Sequence, residues 1–186
     1  MPATADRELR TLTLESFADT VLPGEKRGPG DRAIAGAASG GGAVQAGAVA
    51  VLETAEGGME PALDEVSASL NRHANAYRAR LGLDQDEEAA FCGLSFEHRT
   101  ALIGELVAPQ HPERALWVGI AMFCFMAFDT GAHLHTVEAM AAGHPGLATL
   151  GFAPPGPDGL WRFPAFSYGR QLAEIHPGTD STGSPS

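Results

Sequence analysis

The residues best suited to chemistry in this chain lie in one stretch, "FMAFDTGAHLHTVEAMAAGHPG", residues 125–146, which carries Asp129, His133, His135, Glu138 and His144. Carboxylates and imidazoles are the groups from which acid/base pairs and metal sites are built. Asp129 and His133 stand four apart, the spacing of neighbours on a helix, so the carboxylate could orient the imidazole as an acid/base pair. The same spacing at a helix end is also an ordinary structural arrangement. His133 and His135 form a His-x-His pair, which converges on one ion when the chain is extended but diverges by about 200° on a helix. No metal is therefore expected here, and Asp129, His133 and His135 are catalytic candidates only if the chain works as an enzyme on its own. No Gly-x-Ser-x-Gly, His-Glu-x-x-His, Cys-x-x-Cys or dinucleotide fingerprint accompanies them.

Helices must position these residues, because period 3.6 recurs along the chain and strict alternation is almost absent. Leu14, Phe17, Ala18, Val21 and Leu22 form one face of a first helix that stops at Pro23-Gly24. A Gly-rich connection follows; it lacks the preceding strand and the GxxxxGK[ST] spacing of a phosphate loop. Val44, Ala48, Val51, Leu52 and Ala55 mark the next helix. Met59, Leu63, Val66, Leu70, His73, Tyr77 and Leu81 then step by four and three, a narrow stripe fit to lie along another helix. His73 within it reads as a core-edge residue bonded to a carbonyl or to Tyr77. The acidic run at 84–88 suits a solvated helix start, and Ser95 suits the N-cap of a helix burying Leu102, Ile103, Leu106 and Val107.

The segment from Pro112 to about residue 130 is apolar on every side between Ala115 and Phe128. Such a helix is either central to a bundle or covered on one side by a partner subunit. At 14 residues the run falls short of the roughly 18 needed to cross a bilayer. Gly131 should end it, and Gly143 should end a short helix after it. From Pro145 to Arg170 the chain turns to proline, glycine and aromatic residues, with Phe152, Trp161, Phe163, Phe166 and Tyr168 carrying more apolar area than water tolerates. That text predicts an irregular wrap across the bundle surface.

The expected architecture is therefore all-α: a single-domain helical bundle around an apolar central helix at about 112–130, with an irregular C-terminal wrap. Residues 1–10 are expected to be a flexible N-terminus, 11–170 the helical domain and 171–186 a disordered tail. With 186 residues, one full core is the natural outcome. A net charge of −11, from 23 acidic against 12 basic residues, repels nucleic-acid backbones and anionic membranes. No secretory or twin-arginine signal is legible at the N-terminus, which predicts a cytoplasmic protein with Cys92 and Cys124 as reduced, buried thiols.

With the helices placed, "TLESFADTVLPG", "GAVQAGAVAVLE", "FCGLSFEHRTALIGELV" and "ERALWVGIAMFCFMAF", followed by the Gly/Pro/Trp segment, resemble the gluconate 2-dehydrogenase subunit 3 family over most of residues 11–170. The resemblance implies a noncatalytic small subunit that supports a flavin-dependent oxidoreductase of the glucose-methanol-choline class, with FAD on the partner subunit and no catalytic residues to carry over. Family members often bear a twin-arginine signal, which is missing here, so a cytoplasmic helper is the version expected. The scarcity of lysine beside abundant Ala, Gly and Arg suggests a GC-rich, actinobacterial genome and a biosynthetic setting. The contact surface expected comprises Trp117, Phe128, Phe152, Trp161, Phe163, Phe166 and Tyr168. The alternative is a stand-alone cyclase or isomerase with a pocket lined by Phe and Met and Asp129, His133 or His135 as acid/base.

Overall fold

The structure, a computed structural model, describes residues 2–26, 28, 40–84, 89–152 and 178. The chain divides into a helical unit, Met1–Phe152, and a second unit, Ala153–Ser186, of which only Gly178 is described. The first unit ends at Phe152, and the part of the expected helical domain from 153 to 170 lies outside the described residues. The expected wrap with Trp161, Phe163, Phe166 and Tyr168, the tail, and acidic residues 85–88 lie outside the described residues. Every regular element described is helical, and the fold is all-α: α1 (Pro2–Val21), α2 (Ala48–Leu52), α3 (Leu63–Leu81), α4 (Phe96–Leu106), α5 (Arg114–Thr130), α6 (Thr136–Ala141) and α7 (Pro145–Thr149), with two 3-10 turns between α2 and α3.

Helix α1 starts at Pro2, not after residue 10 as the apolar spacing predicted. Its N-terminal half has no apolar stripe. Arg10 supplies the reason, since its guanidinium pairs with Glu53 beyond α2 and Asp64 at the start of α3, tying this turn to two elements. Further along, Leu14, Phe17 and Ala18 enter the core as their spacing predicts. Thr13, Ser16, Asp19 and Thr20 are buried beside them, so α1 is enclosed over a wider arc than its apolar residues cover. Burial of polar groups is tolerable only where they are bonded. Ser16 and Thr20 return their hydroxyls to Leu12 and Ser16 carbonyls, Thr13 accepts from the Asn71 amide at 3.2 Å, and Asp19 meets Arg99.

The stripe on α3 behaves as its spacing requires: Leu63, Val66, Leu70 and Tyr77 are buried, and Gly82 closes the helix. Leu81, at the stripe's end, is exposed. Asn71 pins α3 twice, to Thr13 and, through its carbonyl, to the Phe91 amide at 3.0 Å. Ser95 caps α4 by accepting from the His98 amide.

Helix α5 packs against α1, α2, α4 and α7. It is not enclosed on every side. Trp117, Ile120, Cys124 and Ala127 form its buried face, while Met122 is 60% exposed and Phe125 and Met126 are 44% and 43% exposed. The helix is therefore central to the described bundle on one face and exposed on the other. No helix among the described residues is long and apolar enough to cross a membrane.

Candidate functional site

The end of α5 and the two short helices after it hold the acid/base candidates. Gly131, at φ 59, terminates α5 in a left-handed cap whose amide returns to Ala127. This conformation disfavours any residue with a Cβ. The turn separates the candidates. Asp129 stays on the exposed outer face of α5, with no hydrogen bond or ion pair to a described residue. His133 folds back toward the core, its ring lying where a Cβ on Gly47 would sit, 2.4 Å away. No bond joins Asp129 to His133, because the i, i+4 relation holds only on a continuous helix and Gly131 interrupts it.

His135 is exposed and provides the N-cap position of α6 through its backbone alone, its side chain making no capping bond. Glu138 is exposed in the first turn of α6. Among the described residues, no group of three or more His, Cys, Asp or Glu side chains is placed to hold a metal ion.

The buried imidazole here is one that spacing did not single out, His144. It caps α7 by accepting the Leu147 amide on Nδ1 at 3.3 Å, and its Nε2 donates to the Ala46 carbonyl at 3.1 Å. Those two bonds fix one tautomer and fasten α7 to the turn before α2. Its place after Gly143 and before Pro145 was the available signal, since a polar residue ahead of proline is a helix N-cap pattern. His133 lies close to it. Burial, then the neighbouring His144, pushes the His133 pKa below its ordinary value of 6.5, and its buried Nδ1 has no hydrogen-bond partner among the described residues. His144, and not His133, lines a cleft of about 460 Å³ together with Glu25, Gly41, Gln45, Leu134 and Ala142. The walls of this cleft are mainly small and apolar, with Leu134, Ala139, Ala142 and Pro145 beside glycines, Glu25 and Gln45, and they hold none of the Phe and Met side chains expected of a cyclase pocket.

A second cluster joins α3 to the start of α5. Glu113 Oε2 accepts from His73 Nε2 at 2.7 Å and from the Trp117 indole at 3.1 Å, while the Glu113 amide donates to His111 Nδ1. The His73 bond is the main reason that the Glu113 carboxyl is held below its ordinary value of 4.5. His73 therefore bonds an acid at the N-cap of α5 rather than Tyr77, whose hydroxyl meets His98 instead. The cluster also explains Trp117. Completely buried, packed at a tilt against the Phe17 ring and with its one polar atom satisfied, Trp117 belongs to the core and not to a contact surface.

The remaining expected contact residues divide. Phe128 is half-buried, because its backbone carbonyl and ring meet Gly146 of α7. Phe152 is exposed. Of the eight exposed large apolar side chains among the described residues, seven fall between Met122 and Phe152; only Leu81 lies elsewhere. The apolar surface is thus concentrated on α5, α6 and α7. No curated protein and no solved structure matches the chain. A family model does match, over residues 8–186, and the chain belongs to that family of unknown function, DUF5987.

Proposed function

We propose that this chain is a noncatalytic accessory subunit of a flavin-dependent oxidoreductase of the glucose-methanol-choline class, with FAD carried by the large subunit. The observation that carries the reading is the gathering of exposed Leu134, Val137, Leu150 and Phe152 on and beside α6 and α7 of an otherwise well-buried helical unit. Large exposed apolar groups gathered in one part of a surface mark a contact. The identity of the partner rests on the resemblance of the helix signatures to the gluconate 2-dehydrogenase subunit 3 family. The separation of Asp129 from His133 removes the paired form of the stand-alone enzyme, in which the carboxylate orients the imidazole, and so supports this reading.

The partner's contact is assigned to Leu134, Val137, Leu150 and Phe152, on and beside α6 and α7. An obligate interface of this kind buries about 2,000 Å² or more. The test is capture from the native host with tagged full-length chain, with the eluate read for flavin absorbance and the bound chain identified by mass spectrometry. A flavoprotein retained by the native chain and lost with Val137→Glu or Phe152→Glu is the expected result. Recovery of no flavoprotein, or capture indifferent to both substitutions, overturns the assignment.

A further inference from the structure

The outer face of α5 carries a pattern that the accessory role does not require. Ala115, then Val118 and Gly119, Met122, Phe125 and Met126, and Asp129 stand three or four residues from one turn to the next, and their positions are exposed or half-exposed along the whole helix. Such a stripe is a seam for a second helix. Its span from residue 115 to 129 is about 21 Å at the rise of an α-helix.

The seam is graded in size. Its first half is small, with Ala115, Val118 and Gly119, and its second half is large, with Phe125 and Met126. Gly119 sits inside a helix, where glycine costs up to about 1 kcal/mol relative to alanine. A Cβ there would meet nothing within 4 Å, so intramolecular packing does not ask for glycine. The charges are graded too. Arg114 at one end is exposed, its Nε spent on the Val107 carbonyl and its guanidinium in no ion pair with a described residue. Asp129 at the other end is exposed and unpaired in the same sense.

We infer that a second copy of this chain occupies the face, with the two α5 helices antiparallel about a two-fold axis at Met122. The match follows from the numbering. Reversal about residue 122 sets Phe125 and Met126 of one copy against Gly119 and Val118 of the other, so large side chains meet small ones. It also brings Asp129 beside Ala115 and Arg114 of the second copy, and the same contacts recur on the other side of the axis. A surface complementary to its own reverse is what an isologous dimer needs. A parallel pairing would instead set large on large and like charge beside like.

The exposed area of this one helix limits the interface to the order of 1,000 Å² in total, the size of a weak, reversible association. Two copies, each at net −11, also repel. The dimer should therefore tighten as salt rises from ~0.01 M to ~0.15 M, where the Debye length shortens from about 30 Å to about 8 Å.

The experiment is sedimentation velocity of the full chain over a wide concentration range, with circular dichroism as the fold check. A concentration-dependent dimer is expected. Met122→Glu should leave it monomeric with unchanged helicity, and Gly119→Ala should raise the thermal midpoint while weakening association roughly tenfold. Arg114→Asp and Asp129→Arg should each weaken association, and the double variant should restore it. A chain monomeric at every concentration, a dimer indifferent to Met122→Glu, or a double variant no better than its parents overturns the proposal. The outcome is separable from the flavoprotein reading: Met122→Glu that abolishes flavoprotein capture from an always monomeric chain would give this face to that partner instead.

Discussion

Replacing Gly146 by alanine should detach α7 from α5. A Cβ built on Gly146 falls 1.8 Å from the Phe128 carbonyl oxygen and 2.6 Å from its carbonyl carbon. Carbon and carbonyl oxygen meet comfortably at about 3.3 Å, so α7 must retreat by about 1.5 Å. The obstacle is backbone inside α5 and has no rotamer to change. A retreat of that size stretches the 3.1 Å bond from His144 to Ala46 beyond useful geometry and loosens the buried Leu147. Overpacking costs about 1–3 kcal/mol and a lost hydrogen bond about 0.5–1.5 kcal/mol, which together give about 3 kcal/mol. For a domain of this size, that is a fall of roughly 6–12 °C in Tm. Thermal melts followed by circular dichroism measure the global effect, and hydrogen exchange at residues 147–150 reports α7 directly. Gly119→Ala is the control, glycine inside a helix with open space at its Cβ, and should stabilise the monomer by up to about 1 kcal/mol. Equal melting of Gly146→Ala and the native chain, with exchange at 147–150 unchanged, would refute the packing argument.

Two further expectations concern charge. Asp19 and Arg99 are 0% and 2% exposed, with Nη2 and Oδ2 3.3 Å apart, and burial lowers the Arg99 pKa against the opposing pull of Asp19. Arg99→Met should therefore cost about 3–5 kcal/mol in urea denaturation, with much of it recovered in Asp19→Leu/Arg99→Met; a loss below about 1 kcal/mol for the single variant is inconsistent with a buried pair. His133 has a folded pKa below 6.5, so between those two values the unfolded chain binds more protons and stability rises with pH. The native chain should lose stability as pH falls from 6.5 toward the folded His133 value, and His133→Gln should flatten that part of the curve. An unchanged slope in denaturation midpoints measured across that window contradicts this sign.

Much of the architecture was legible because local signals coincide with burial. The stripe of Leu63, Val66, Leu70 and Tyr77, the cap at Ser95 and the break at Gly131 all express preferences of a few neighbouring residues. Residues 2–10 were misread because their helix is held by Arg10 reaching Glu53 and Asp64, which spacing within the helix does not record. The polar candidates were visible as residue types, but their grouping was not. Asp129 and His133 are four apart in the chain, and one left-handed glycine sends them to different surroundings. His144 and His73 are 98 and 40 residues from their partners Ala46 and Glu113.

Residue order alone therefore determined that the described fold is helical, that α5 breaks at Gly131 and that the 115–128 segment is apolar around its circumference, but not that α1 begins at Pro2 or that Pro145–Thr149 is a helix rather than irregular chain. It could not determine which side of that segment is covered, since a uniformly apolar helix has no preferred face. Tertiary packing made that choice, placing Trp117, Ile120, Cys124 and Ala127 inside and leaving Met122, Phe125 and Met126 outside. The decision lies with α1, α2, α4 and α7, which together surround only part of one cylinder.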